Sequence, residues 1–193
     1  MSSHHIVRDA QEPAVLLLDA EVCQQDTLHQ LLEWSPVVMA TAETLPLLLT
    51  WNIKVEVVFC SAEQHPSLKK ELIYQEPVTI IPIEGTLFLT IAAYLKEKEH
   101  RAINIFFPID HTLSLFAAFS DVDVVLFEHH QRAFLCKKKV LEKWYPAGQQ
   151  LCIPENVQVE NLTLVGDGVY KVLQDGFVKV HGEGSPFLIM EES

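Results

Sequence analysis

Residues 101–115 read RAINIFFPIDHTLSL, Arg101 to Leu115. The apolar run Ala102 to Phe107 predicts a strand buried on both faces. Pro108-Ile109 predicts a turn, Asp110-His111 follow it, and Thr112 opens an apolar helix through Phe119. An acid and an imidazole therefore stand where a strand hands over to a helix. In an open α/β sheet, ligands bind at that edge, beyond the carboxyl ends of the strands.

Upstream, the same alternation repeats. Short apolar runs at Ala14–Leu18, Val37–Ala40, Val55–Phe59 and Val78–Ile81 predict buried strands. Helices are expected from Asp26 or Thr27 (as N-cap) to Trp34, over Thr41–Trp51 with Pro46 in its first turn, over Pro66–Tyr74 and over Thr86–Glu99. Leu28, Leu31 and Leu32, then Leu45, Leu48 and Leu49, then Leu89, Ala92, Ala93 and Leu95 form their apolar faces. A sixth strand follows at Val122–Phe127. Strands and helices alternating at this spacing predict βαβ units and a mostly parallel sheet in three layers.

Beyond Phe127 the texture changes to alternation of apolar and polar residues, as in Val157-x-Val159, Val178-x-Val180 and Phe187-x-Ile189. Glycine-rich turns separate these runs, and Asp175-Gly176 reads as a hairpin turn. The expected organisation is an α/β domain over residues 1–129 and a small all-β sandwich or barrel over 130–193. His129-His130 reads as the junction, because adjacent residues point apart and make a poor metal pair. The basic run Lys137-Lys138-Lys139 reads as protection of an exposed edge strand.

Composition narrows the partners. The formal net charge is -12, which argues against nucleic acid, because gripping a phosphate backbone requires Lys and Arg. The four cysteines are scattered, with no C-x-x-C pair, and suggest reduced thiols in a cytoplasmic protein. The run Ala14–Leu18 is too short for a signal peptide, and no run approaches the ~20 apolar residues of a membrane span. Neither G-x-x-x-x-G-K-[ST] nor G-x-G-x-x-G is present, so the two common phosphate-binding loops are not available.

The order of parts, with Asp-His-Thr after the fifth strand, resembles the thiamine pyrophosphokinase family. Where that family has Asn-Gly-Glu after the first strand, this chain has Asp19-Ala20-Glu21. The family's Asp-Gly after the second strand is matched by Thr41-Ala42. Its Gly-Asp-x-Asp-Ser after the third is matched by Cys60-Ser61-Ala62-Glu63-Gln64. Its Asp-x-Thr-Asp-Leu, leading to Tyr-Leu, is matched by Glu84-Gly85-Thr86-Leu87-Phe88 and Tyr94-Leu95. Its Arg-x-Asp-His-Thr is matched by Pro108-Ile109-Asp110-His111-Thr112. In the second half, Gly168-Val169-Tyr170 only loosely resembles its Gly-x-x-Tyr strand, with one residue fewer between glycine and tyrosine, and the Ser-Asn segment that follows in the family is missing.

The resemblance implies ATP and Mg²⁺ as cofactors, thiamine as substrate, AMP and thiamine diphosphate as products, and a homodimer. It places Glu63, Glu84 and Asp110 at catalytic positions, with Glu63 and Glu84 as the metal-binding pair. Thr41, Ser61, Thr86, Asp110, His111 and Thr112 fall at substrate- or nucleotide-binding positions. Thr41, Ser61 and Leu87 stand where the family has carboxylates, and leucine can coordinate nothing. Asp110 is equally suited to capping the helix at Thr112. Three functions follow: a binder of thiamine or a nucleotide with weak or no catalysis, a working kinase rebuilt on Glu63, Glu84 and Asp110, or a dimeric scaffold. The apolar faces of the last strands, including Val178, Val180, Phe187 and Ile189, would supply the dimer with a second packing surface beyond the small barrel's own core.

Overall fold

The computed structural model describes residues 12–109, 112–154, 157–182 and 187–192, with the side chains of 112–114 excluded. They form two compact units, dividing between Val124 and Val125.

The first unit is built on parallel strands β1 (Ala14–Leu17), β2 (Val38–Thr41), β3 (Val57–Cys60), β4 (Thr79–Pro82) and β5 (Ala102–Phe106), in the order β5-β1-β2-β3-β4. Every residue of β1, β2 and β3 is buried. That is why these strands are continuous apolar runs: no face is left for water. Between them come helices α1 (Gln25–Leu32), α2 (Leu45–Thr50), α3 (His65–Glu71), α4 (Leu87–Glu97) and α5 (Thr112–Ala118). Leu28, Leu48, Ile91 and Leu95 are fully buried. Each such side chain contributes about 1.5–3 kcal/mol relative to leaving it in water.

Several helix bounds and faces differ from those expected. Helix α1 is capped at Gln24, not at Asp26 or Thr27, and Asp26 lies in its first turn. Thr41 closes β2 instead of opening a helix. Its neighbour Ala42 still donates to Phe59 O at 2.9 Å, so the ladder runs on and α2 waits until Leu45. Helix α3 ends at Glu71, and a 3₁₀ turn carries the chain through Leu72–Tyr74. In α4 the buried stripe runs through Ile91 and Leu95, whereas Leu89 is 58% exposed.

The second unit is all-β. One sheet has the order β11-β12-β9-β14-β7-β6, formed by β6 (Asp123–Glu128), β7 (Gln131–Cys136), β9 (Gln150–Cys152), β11 (Leu162–Gly166), β12 (Val169–Val172) and β14 (Phe187–Glu192). The other has the order β10-β13-β8, formed by β8 (Val140–Tyr145), β10 (Val157–Glu160) and β13 (Gly176–Gly182). Every pairing that links β6, β7, β9, β14, β12 and β11, and every one in the smaller sheet, is antiparallel. His129-His130 is the turn between the paired ends of β6 and β7.

Three expectations are corrected here. Asp175-Gly176 is not a hairpin turn, since β12 and β13, on either side of it, belong to different sheets. The Asp175 carboxylate instead accepts the Ala147 N–H at 2.7 Å. Lys137–Lys139 are not on a strand: β7 ends at Cys136, β8 begins at Val140, and the lysines turn the corner between sheets. Finally, Val178, Val180, Phe187 and Ile189 offer no outer packing surface, because all four lie in this unit's own core. The exposed apolar side chains are others, among them Trp144 at 53% and Phe177 at 61%, which face each other across β8 and β13.

Candidate functional site

Strand order locates the candidate site in the first unit. The chain steps outward from β1 to β4, then returns to place β5 on the other side of β1. The order reverses between β1 and β5, and a crevice at such a switch point is where open α/β sheets bind ligands. Loops after β1, β2 and β5 border it. With neighbouring strands about 4.8 Å apart, the ends of β4 and β5 stand roughly 19 Å from each other. Glu84, just past β4, thus leaves the sheet well away from the end of β5. Asp110 and His111 themselves lie outside the described residues, as does the Thr112 side chain.

The three hydroxyl residues at ligand-binding positions whose side chains are described, Thr41, Ser61 and Thr86, share one local role. Thr41 Oγ1 accepts the N–H of Thr44 at 3.3 Å, Ser61 Oγ that of Gln64 at 3.3 Å, and Thr86 Oγ1 that of Leu89 at 3.4 Å. Each hydroxyl turns the chain from strand to helix by holding the amide three residues on, as a capping residue does. Two of the turns are reciprocal. The Thr41 N–H donates to Thr44 Oγ1 at 3.1 Å, and the Ser61 N–H donates to Gln64 Oε1 at 2.9 Å. Thr41 is also 4% exposed.

These turns are joined to each other. Thr44, 3% exposed, donates its hydroxyl to Leu17 O at the end of β1, at 2.7 Å. Gln64 Nε2 donates to Glu43 Oε1 at 3.4 Å, linking the loop after β3 to the loop after β2. A chain of hydrogen bonds therefore ties the ends of β1, β2 and β3, with the exposed Glu43 carboxylate at its outer side. Burial works to raise the Glu43 pKa, but its backbone N–H, Thr41 and Gln64 outweigh that and hold the carboxyl below its ordinary value. Cys60 ends β3 nearby, and burial followed by the Glu43 charge pushes its thiol up.

Thr44 and Gln64 were not among the candidate residues read from the sequence. The Ser-x-x-Gln spacing of a capping box signals the local half of Gln64's role; its reach to Glu43 has no sequence signal.

The remaining acids are held less firmly. Asp19 Oδ1 accepts the Glu21 N–H at 2.8 Å. Among the described residues the carboxylates of Glu63 and Glu84 have no hydrogen-bond partner. In the loops that follow the five strands (residues 18–24, 42–44, 61–64, 83–86 and 107–111) stand Asp19, Glu21, Glu43, Glu63, Glu84 and Asp110, without a single Lys or Arg.

The described residues do not fit a magnesium site. No group of three His, Cys, Asp or Glu comes together among them. Leu87 offers no donor atom, and the Thr41 hydroxyl is buried and engaged. No described helix is long and apolar enough to cross a membrane.

Neither a family model nor a curated protein matches the sequence. Solved structures do match. Thiamin pyrophosphokinase from Geobacillus thermodenitrificans superposes with a TM-score of 0.67 at 13% identity, over 93% of this chain and 96% of that one. Yeast thiamin pyrophosphokinase gives 0.64 at 9% identity, over 97% and 88%. The Candida albicans thiamin pyrophosphokinase gives 0.63 at 10% identity, over 93% and 90%. The matches span both units, and the chain has the fold of the thiamin pyrophosphokinases.

Proposed function

We propose that this protein binds thiamine and transfers pyrophosphate weakly or not at all. The observation that carries this reading is the charge of the ligand edge. Its five loops hold six acids and no Lys or Arg. Thiamine is an aromatic cation and suits such an edge. ATP brings about four negative charges, and phosphoryl-transfer chemistry depends on metal ions and cationic groups that neutralise them. The positions Thr41, Ser61 and Leu87, where the resembling family has carboxylates, supply no such metal site. Missing electrostatic contacts of this kind cost about 100- to 1,000-fold each in rate.

The test is incubation of the purified protein with thiamine, ATP and Mg²⁺ or Mn²⁺, with calorimetry on thiamine alone. Thiamine binding without AMP or thiamine diphosphate supports the proposal. Turnover at about 1 per second or faster, ordinary for a kinase, overturns it in favour of an enzyme rebuilt on Glu63, Glu84 and Asp110. Absence of thiamine binding favours the scaffold.

A cytoplasmic homodimer belongs to the same reading. The exposed cross-strand pair Trp144 and Phe177 supports self-association, since aromatic side chains are enriched where interfaces concentrate their energy. Sedimentation as a monomer at micromolar concentration would count against it.

A further inference from the structure

The first unit carries a second concave site at the opposite edge of its sheet, where the chain enters β2 and β3. The cavity there measures about 440 Å³, a size ordinary for small-molecule sites. Backbone hydrogen bonds set its wall. Helix α2 ends in a Schellman turn: Asn52, at φ 55°, donates its N–H to Leu49 O at 3.0 Å, and Ile53 donates to Leu48 O at 2.9 Å. This turn fixes the backbone on which the half-buried Trp51 and then Lys54 and Glu56 join the lining. Leu32, Val38 and Ile53 supply apolar surface beside them.

Two opposite charges line this one cavity without meeting. Lys54 is exposed and has no ion-pair or hydrogen-bond partner among the described residues. Glu56 is half-buried, and its Oε2 accepts the Val38 N–H at 2.8 Å. That bond holds the carboxylate in place and leaves Oε1 without a partner among the described residues. A small molecule that satisfies both charges must itself carry a carboxylate and an ammonium. Trp51 adds a ring that attracts an ammonium, and the apolar lining suits an apolar side chain.

We infer that this cavity binds a free α-amino acid with an apolar side chain, Lys54 taking its carboxylate and Glu56 its ammonium. The site stands at the other end of the strands from the ligand edge and does not rest on the thiamine reading.

The experiment is calorimetric titration of the full chain with L-phenylalanine and L-leucine, with phenylalaninamide, which lacks the carboxylate, and with N-acetylphenylalanine, which lacks the ammonium. Wild type, Lys54→Gln and Glu56→Gln are compared, each with its melting temperature. Wild type should bind phenylalanine about tenfold or more tighter than either derivative, the size of a lost charge-assisted hydrogen bond. Lys54→Gln should weaken phenylalanine about tenfold and leave phenylalaninamide unchanged. Glu56→Gln, which keeps an oxygen for the Val38 N–H, should weaken phenylalanine by a similar factor and leave N-acetylphenylalanine unchanged. Damage to the cavity alone would weaken every ligand together, and that result would overturn the inference. If Glu56→Gln melts much lower than wild type, the exposed Lys54 decides the matter through its own pair of ligands. Equal affinity for phenylalanine and both derivatives, or affinity unmoved by either substitution, overturns the inference. So does binding of phenylalaninamide alone, which would make the site one for simple organic cations. Failure to bind phenylalanine or leucine at up to about 10 mM overturns it as well.

Discussion

Lys143 Nζ lies 2.7 Å from Glu191 Oε1, and the pair joins the two sheets of the second unit, since Lys143 is on β8 and Glu191 on β14. Arg132 Nε meets the same oxygen at 2.5 Å from β7. The Glu191 side chain is 1% exposed, while the cations keep 36% and 40% of their surfaces in water. The ammonium also lies 4.8 Å from the ring centroid of Tyr145 and 5.1 Å from that of Phe134. A buried carboxylate is tolerated here because two cations converge on its Oε1, while the two aromatic faces take up the ammonium of one of them.

Removing that carboxylate strands two cations in a partly dry site. Glu191→Gln is expected to destabilise the protein by about 3 kcal/mol. That is the low end for breaking a buried pair, because both cations retain contact with water. Denaturant unfolding of the two proteins measures it.

The same pair predicts acid sensitivity. Burial works to raise the Glu191 pKa, but the Lys143 and Arg132 cations outweigh it and hold the carboxyl below its ordinary value. A depressed folded-state pKa contributes stability that is present above the unfolded value, about 4.3, and lost as pH falls through the folded value. The melting-temperature gap between wild type and Glu191→Gln should therefore be widest near neutrality and narrow below about pH 4. A gap independent of pH would sink the assignment.

Thr44 should be hard to replace. Thr44→Val keeps the shape but leaves Leu17 O and the Thr41 N–H without their partner in a buried turn. The expected cost is about 1–3 kcal/mol, and Thr44→Ser should recover most of it. Chemical unfolding of the two variants separates loss of the hydroxyl from loss of the methyl.

Thiol reactivity should follow burial. Cys23, Cys60 and Cys136 are buried, and Cys152 is half-buried. Burial pushes the Cys23 thiol up to about 12 and also raises Cys60 and Cys136. Since the thiolate is the reactive form, iodoacetamide at neutral pH should label Cys152 first in the folded protein, as peptide mass mapping would show. Equal labelling of all four without denaturant would contradict the burial described.

Gly168 is a glycine of the second unit whose replacement should be costly. It has φ +70°, and a Cβ there would come 3.3 Å from Ile153 O. Gly168→Ala is expected to cost about 1–2 kcal/mol from the left-handed backbone alone, read as a lowered unfolding midpoint.

The alternation of apolar runs with helical stretches was sufficient, without coordinates, to place the five parallel strands and the all-β unit after them. Periodicity is a local property, and burial on one or two faces writes it directly into the chain. The hydroxyls at Thr41, Ser61 and Thr86 were singled out by the family resemblance, and each stands at a strand-to-helix turn. Other features depended on which strands become neighbours. Asp175-Gly176 has the composition of a hairpin turn, yet β12 and β13 go to different sheets, and no local signal records that choice. Val178 and Val180 show an apolar face, but only the packing of the two sheets makes it core and leaves Trp144 and Phe177 outside. Gln64 and Glu43 stand 21 residues apart and meet because β2 and β3 pair in parallel register. Glu191 and Lys143, 48 apart, meet because β14 and β8 lie in facing sheets. Local sequence sets what each segment can be; long-range pairing, which has no local signature, decides which charges end up side by side.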